Sequence, residues 1–480
     1  MLDQLSQERR RKAGDIRAQG GDPFPARVRR DMSIAEFENA RFKLLRRKAS
    51  TLAGRVVQRR GQGRLTFLTL ADESGRIQVV LSAKEVKGYD GLVAALDLGD
   101  FVEVTGTGGK TKKGTFSLFA REARVIAKAL RPIPSDYYGI QDKEILLRQR
   151  YLELLTSPDL RKTFEAKARF WSSIRGTLEA AGFVAVETPV LEAVPGGAEA
   201  EPFRSRHNAF GMDVYLRIAP ELWLKRLMVA GFEKVYEIGR VFRNEGSSPE
   251  HLQDFTNLEF YWAYQDYEGL MTFVEDLVKK AVQATTGGMK TQKGDALIDW
   301  SGPWPRLEYY DLFKKENGID LRTATREDLL RRARELGMDA DARLGRGRLI
   351  DLVYKKSVRP KLVQPCYLIN PPVDIEPLAK RLASDPERVE RFQLLAGGTE
   401  LAKGFSELND PDDQRARFEG QAKLREEGDA EAMRLDEDYL EAMEHGMPPT
   451  AGLGLGDRLF ATLMDRPIRE TVLFPLVKPK

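Results

Sequence analysis

A short stretch of this chain carries a dense set of groups able to grip a polar ligand: Arg243, Glu245, Phe255, Asn257, Glu259 and Tyr261. Side chains alternate along a strand, so Phe255, Asn257, Glu259 and Tyr261 share one face, and Thr256, Leu258, Phe260 and Trp262 the other. The second face is mostly apolar and suits a core. The first combines two aromatics, an amide and a carboxylate, and reads either as a sheet surface or as a site. Upstream, Val235–Glu245 alternates too and places Val241, Arg243 and Glu245 together. That pair is either a structural ion pair, or an arginine fork for phosphate or carboxylate beside a glutamate that accepts from a base amino group. Near the end, Gly452-Leu453-Gly454-Leu455-Gly456-Asp457-Arg458 precedes a helical run, Leu459–Met464. Glycines let a ligand come close to the backbone, although most such runs are turns.

Other chemistries are excluded. The single cysteine, Cys366, rules out an intramolecular disulfide framework and any multi-thiolate metal site, and His207, His251 and His445 are far apart with no HExxH pattern. Gly106-Thr107-Gly108-Gly109-Lys110-Thr111 resembles a phosphate loop, but Val104 stands where the pattern needs glycine. There is no run of 18 apolar residues, so no membrane helix is expected, and the polar, basic start, Met1 to Lys12, does not read as a secretory signal. The expected location is cytoplasmic. With 42% apolar and 31% charged residues the composition is that of a globular protein. The net charge of +4 hides an asymmetry: residues 1–50 hold 13 Lys/Arg against 7 Asp/Glu. Such a basic arm is either a solvated helix or a contact for a polyanion.

Several elements must position these groups. Strands are expected at Thr51–Gln58, Leu65–Ala71, Arg76–Leu81, Phe101–Thr107 and Thr115–Ala127. Turns are expected at Arg59–Arg64 and Asp72–Gly75, and a helical stretch at Ala83–Leu98. Five strands with a helix between the third and fourth is the order of an OB-fold barrel, a common binder of single-stranded nucleic acid. Phe67 and Gln78 fall on its central strands, with Arg55, Arg59, Arg60, Arg64 and Arg76 nearby. By alternation alone Phe67 is either a core residue or a stacking platform. A proline-bearing linker, 129–140, follows. The rest mixes a helix at Lys162–Ala181 with strands near Leu216–Ile218, Lys234–Arg243 and Phe255–Tyr264. A charged helical stretch at 323–357 reads as an appended, solvated piece.

Taken together, Phe242-Arg243-Asn244-Glu245, then Phe255 and Glu259, then the terminal glycine run with Asp457-Arg458 resemble the signature of class II aminoacyl-tRNA synthetases. A first motif is present at Gly182-Phe183-Val184-Ala185-Val186-Glu187-Thr188-Pro189. With Leu216–Leu222 and Phe405-Ser406-Glu407-Leu408-Asn409-Asp410, the chain resembles the lysyl-tRNA synthetases of subgroup IIb over about 51–475. The resemblance implies an α+β fold: an N-terminal OB-fold barrel (51–128) that binds the anticodon, preceded by a basic helical extension (1–50), and a catalytic domain (141–480) built on an antiparallel sheet flanked by helices. It implies lysine–tRNA ligase activity, with ATP as substrate, Mg²⁺ as cofactor, tRNA(Lys) and L-lysine as partners, and a homodimer built on the first motif. Carried over by position, Arg243 and Arg458 are catalytic. ATP is held by Arg243, Glu245, His251, Phe255 and Arg458. Lysine is held by Gly197, Glu221, Glu259, Tyr261, Lys403 and Glu407. Glu400 binds metal, and Phe67, Gln78 and Glu122 meet the anticodon. The alternative reading is a synthetase-like protein that binds without aminoacylating, or that lysylates a protein acceptor.

The chain departs from the family's pattern in four places. Gly456 meets Asp457 directly, without the usual apolar residue between. Gln393 stands where a second metal-binding acid is usual, so the number of Mg²⁺ ions is open. Lys403 replaces a common asparagine, and Glu250 a common basic residue. Glu400 and Glu407 are an odd number of residues apart, on opposite faces of a regular strand. A bulge or bend, expected at Gly404, is needed to bring both to one site.

Overall fold

The computed structural model describes residues 2–40, 49–133, 142–246, 248, 250–341, 344–426 and 432–478. It divides into two compact units, Met1–Gln141 and Asp142–Lys480. Most of the expected linker lies outside the described residues.

In the first unit, β1 (Ser50–Gln62), β2 (Leu65–Ala71), β3 (Arg76–Ser82), β4 (Phe101–Lys110) and β5 (Phe116–Ala127) close into a barrel in the order β1-β2-β3-β5-β4. Alternation along the strands drives Leu68, Leu70, Ile77, Val79, Val102 and Leu118 into its core. The first turn is not at Arg59–Arg64. β1 runs through to Gln62, which pairs with Leu65, and the reversal is the two-residue turn Gly63-Arg64, with Gly63 at φ +63°. The helical stretch between the third and fourth strands is shorter than expected, α3 at Tyr89–Ala95. The N-terminal segment packs on this barrel. α1 (Leu2–Ala18) sends Arg9 to the carbonyls of Leu98 and Ala129, and Lys12 to Asp97 at 2.7 Å. Ile34 and Phe37 of α2 (Ile34–Asn39) are fully buried in the barrel core. Part of the basic charge is therefore used within the unit; Arg41, Lys43, Arg46, Arg47 and Lys48 lie outside the described residues.

The second unit is built on an eight-stranded sheet. Its strands are β6 (Val184–Ala185), β7 (Lys234–Phe242), β8 (Asp254–Ala263), β9 (Arg306–Glu308), β10 (Cys366–Ile369), β11 (Arg391–Ala396), β12 (Thr399–Ser406) and β13 (Thr450–Gly456). The order is β9-β10-β11-β12-β13-β8-β7-β6. The strands are antiparallel except for the outermost pair at each end. One face is covered by α4 (Pro158–Ala180) and α6 (Tyr267–Thr286). Phe170, Ile174 and Leu178 of α4 meet Leu270, Val274 and Val278 of α6 above Leu258, Phe260, Leu453 and Leu455 of the sheet. Burying that face leaves the other for a site. The expected strand at Leu216–Ile218 is instead Met212–Leu216, and Arg217 and Ile218 lie past its end. The 323–357 stretch is not a solvated appendage. Its helices, Arg326–Glu335 and Arg346–Ser357, bury Leu329, Leu349, Ile350 and Val353 in a core shared with Cys366 and Leu368 of β10 and Leu395 of β11. The α+β fold with an N-terminal OB barrel is the one the sequence implies.

Candidate active site

The opposite face of the sheet carries a cleft of about 860 Å³. Phe255, Asn257, Glu259 and Tyr261 of β8 all line it, because the alternation that buries Leu258 and Phe260 under the helices turns these four the other way. Glu259 is almost fully buried. One carboxylate oxygen accepts from Asn257 Nδ2 at 2.9 Å and the other from the Tyr261 hydroxyl at 3.2 Å. Burial, reinforced by the Glu221 charge, pushes its carboxyl up to about 8, against the pull of Tyr261, Arg243 and Lys225.

The neighbouring strand makes room for this row. A Cβ at Gly452 of β13 would collide with the Tyr261 ring and with Glu407 Oε1, so any side chain here displaces both. Glu407 itself, just past β12, is held by its own N–H to the Thr450 carbonyl at 2.8 Å. The required irregularity in β12 is present but sits at Leu401, not at Gly404. Leu394 pairs with Ala402 and Leu395 with Glu400, which leaves Leu401 extra. That one residue returns Glu400 to the side of Lys403 and Glu407, and all three line the cleft. Gly404 serves another purpose: a Cβ there would run into the Phe392 ring and the Gly452 carbonyl.

Arg243 and Glu245 lie beyond β7, which ends at Phe242, so strand alternation does not extend to them as expected. Arg243 is instead pinned by its own N–H to the Gln253 carbonyl at 2.8 Å. Its guanidinium lies 5.3 Å from the Phe255 ring centroid and donates to the Ile218 carbonyl. Arg458 opens a short helix, α7 (Arg458–Leu463), directly after β13. Its Nε donates to the Glu250 carbonyl at 3.2 Å. The shortened glycine run is accommodated because Asp457 is fully buried, paired with Lys167 at 2.8 Å and accepting from the Thr256 N–H. His251 Nδ1 lies 2.7 Å from Ser248 Oγ. Burial and then Arg458 hold its imidazole below the usual value. Gly197 brings backbone to the cleft beside Glu221, the first residue of α5 (Glu221–Val229). All twelve positions expected in the catalytic unit thus line one cavity.

The sequence reading missed other charges here. Lys225, one helical turn after Glu221, is fully buried between Glu221 and Glu407. Its i,i+4 spacing from Glu221 was a visible signal. Glu376 is buried against Arg391 (3.2 Å) and Lys403 (3.0 Å), and Arg346, Asp351 and Lys355 of the 346–357 helix form a wall. Glu250, where a base is common, pairs with Arg359 at 3.4 Å.

For a divalent cation the carboxylate that fits is Glu400. Burial alone would raise the Glu400 carboxyl. Arg458, Arg391, Lys403 and Lys355 outweigh it and hold the group ionised, below its ordinary value. One carboxylate together with nucleotide phosphates is a usual Mg²⁺ arrangement. The Gln393 amide donates to that same carboxylate, and among the described residues no cluster of three acidic, His or Cys side chains could hold a metal.

In the barrel, Phe67 is half-buried on the outward face, opposite Leu68 and Leu70, and pairs with exposed Arg60. Gln78 shares that face and accepts from Ser117 Oγ at 2.9 Å, while Glu122 is exposed beyond a bulge in β4–β5. Two of the five arginines are tied down: Arg55 to the Gly99 carbonyl and Arg59 to the Leu96 carbonyl.

Comparison with known proteins agrees with both units. The family described as tRNA synthetases class II (D, K and N) matches residues 142–478, and the OB-fold nucleic acid binding domain matches residues 50–126. The chain is 41% identical to a lysine–tRNA ligase of Pelotomaculum thermopropionicum, covering 100% of this chain and 96% of that one. It is 42% identical to the lysine–tRNA ligases of Thermotoga maritima (100% and 97% covered) and Pasteurella multocida (98% and 97%).

Proposed function

The chain belongs to the lysine–tRNA ligase family of class II tRNA synthetases, and from that premise we propose that its cleft activates L-lysine with ATP and passes the lysyl group to the 3′ end of tRNA(Lys). The observation that carries the lysine assignment is the convergence of Glu221, Glu259 and Glu407, all buried, with the Tyr261 hydroxyl on one cavity that also holds Arg243 and Arg458. An ammonium group leaves water only at a cost of several kcal/mol unless it is paired. A pocket with three acids is built for a ligand with more than one ammonium.

Two steps follow. A lysine carboxylate oxygen attacks the α-phosphorus of ATP, the bond to the β-phosphate oxygen breaks, and pyrophosphate leaves. The ribose hydroxyl at the tRNA terminus then attacks the lysyl carbonyl and AMP departs. Both rest on positioning and on charge neutralisation. Arg243 bridges the α-phosphate and the amino-acid carboxylate. Phe255 and Arg458 sandwich adenine, Glu245 takes its amino edge, and His251 sits toward the γ-phosphate. Glu221 and the Gly197 backbone receive the α-amine; Glu407, Glu259 and Tyr261 receive the ε-amine. Lys403 lies near the substrate carboxylate. Glu400 would hold the Mg²⁺ that arrives on ATP, whose charge offsets that of the leaving pyrophosphate.

In the barrel, Phe67, Gln78 and Glu122 read the anticodon, with Arg60, Arg64 and Arg76 for its phosphates. A homodimer built on the first motif is part of this reading; the apolar side chains of Val184 within it and of Val190 and Leu191 just after it are exposed and free for such a contact. Among the described residues no helix is long and apolar enough to cross a membrane; we place the enzyme in the cytoplasm, with translation. The experiment is ATP–pyrophosphate exchange with each of the twenty amino acids in turn. Lysine alone should support it; exchange without lysine dependence would refute the reading.

A further inference from the structure

We propose that Lys225 determines which diamino acid the pocket accepts: its single ammonium ties Glu221 to Glu407 and so fixes the distance between the two acids. This rests on the reading of the cleft as a lysine site, in which Glu221 receives one amine of the substrate and Glu407 the other.

Lys225 Nζ lies 2.6 Å from Glu221 Oε1 and 2.5 Å from Glu407 Oε2, and neither the Lys225 nor the Glu407 side chain is exposed to solvent. The two carboxylates come from separate elements, α5 and the end of β12. Nζ donates a hydrogen bond to Glu221 and makes an ion-pair contact with Glu407, so the two contacting oxygens can be no farther apart than the two contacts laid end to end. The Phe405 ring, with its centroid 5.3 Å from Nζ, backs the ammonium. Glu221 and Glu407 hold Lys225 protonated despite its burial. The result is a rigid strut behind the pocket.

Two consequences bear on selection. Glu407 Oε1 is buried without a hydrogen-bond partner, an arrangement that is costly until a donor arrives. An amine held at Glu221 reaches that oxygen only if the chain between its two nitrogens matches the gap the strut sets. The pocket's charge also counts. Glu221 and Glu407 face one resident ammonium, and Glu259, whose carboxyl burial holds protonated in the free pocket, ionises as a ligand ammonium arrives, so a ligand bringing two ammonium groups pairs all three acids. A ligand with one leaves an amine position of the pocket unfilled.

The test measures exchange with lysine and with ornithine, one methylene shorter, in wild type, Lys225→Met and Lys225→Arg. Discrimination of one methylene is commonly about tenfold or more. In Lys225→Met, of similar length but without charge, the lysine-over-ornithine ratio of kcat/KM should fall by at least about that factor, with the ATP KM unchanged. Equal losses for both amino acids, leaving the ratio intact, would overturn the proposal and reduce Lys225 to a stabilising ion pair. If Lys225→Met does not fold, as judged by circular dichroism and gel filtration, Lys225→Arg decides, since it keeps the charge and changes the reach. A shifted ratio supports the strut and an unshifted one overturns it. Absence of lysine-dependent exchange in the wild type would overturn the function itself, and this role with it.

Discussion

Gln393 donates its side-chain amide to the carboxylate of Glu400 across the β11–β12 pair. An amide can orient a carboxylate, but it brings no negative charge with which to hold a second cation. Lys403, directly across from Gln393, lines the same cleft and brings a positive charge, paired with Glu376, rather than a carboxylate. The expected outcome is one divalent cation per active site when nucleotide and lysine are bound. Counting Mn²⁺ by electron paramagnetic resonance, with a non-hydrolysable ATP analogue, checks this. The double change Gln393→Glu, Lys403→Asn should raise the count to two.

Arg243 is held on two sides, by its own N–H to Gln253 and by its guanidinium to Ile218 and Phe255. Arg243→Ala should cut pyrophosphate exchange by about a hundredfold or more, the usual loss for a preorganised charge-stabilising donor. Thermal stability should change little, which a melting curve run beside the exchange assay will register.

Gly452 tests the pocket from behind. Its missing Cβ is the space that Tyr261 and Glu407 occupy. Gly452→Ala forces both off their positions, and overpacking of this kind costs about 1–3 kcal/mol. Lysine KM should rise about tenfold or more, consistent with that cost, while ATP KM stays within a factor of about two if the nucleotide binds, as proposed, on Phe255 and Arg458. Steady-state kinetics with each substrate varied in turn separates the two.

Glu259 predicts a pH dependence. With its carboxyl pushed up to about 8, the free pocket carries a proton there at neutral pH. The groups facing it are Glu221, Tyr261, Asn257, Arg243 and Lys225. An incoming ammonium favours the ionised form, so binding below pH 8 must expel that proton. Lysine affinity should weaken as pH falls from 8 toward 6, by at most about tenfold per unit for one proton; calorimetry at several pH values reads it. Stability has the opposite sense. Between the ordinary carboxyl value and 8, the folded state holds a proton that the unfolded chain has lost, so the free protein should lose stability as pH rises through that window. Melting temperatures with and without lysine should diverge there.

How far the site was legible follows from which contacts are local. The row Phe255, Asn257, Glu259, Tyr261 is a period-two pattern within one strand, and the fold keeps it intact. Parity alone demanded an irregularity between Glu400 and Glu407. Choosing Gly404 followed the habit of glycines at bulges, whereas the extra residue is Leu401 and Gly404 answers to the Phe392 ring across the sheet. The end of the Arg243 strand was misplaced for a similar reason: alternation continued in sequence after pairing with β8 had stopped at Phe242. Lys225 could be placed on the face of Glu221 from spacing. Its contact with Glu407, far along the chain, is a product of packing α5 against the end of β12 and has no local signal. The 346–357 helix looked solvated because its charges are many, but those same charges wall the cleft.

Phe67 separates recognition from chemistry. Alternation left it either in the barrel core or on the surface, and it lies on the outward face beside Arg60, away from Leu68 and Leu70. Removing the ring should not open a cavity, so Phe67→Ala should leave the barrel's melting behaviour close to wild type. An aromatic that stacks a base contributes about 1–3 kcal/mol, and only to tRNA. Lysine-dependent pyrophosphate exchange, which needs no tRNA, should therefore be unchanged, while kcat/KM for tRNA charging falls by the corresponding factor. Arg60→Ala should weaken charging as well, with a loss that shrinks as salt is raised, if its proposed contact is with backbone phosphates. Equal charging by Phe67→Ala and wild type would remove this face of the barrel from tRNA recognition.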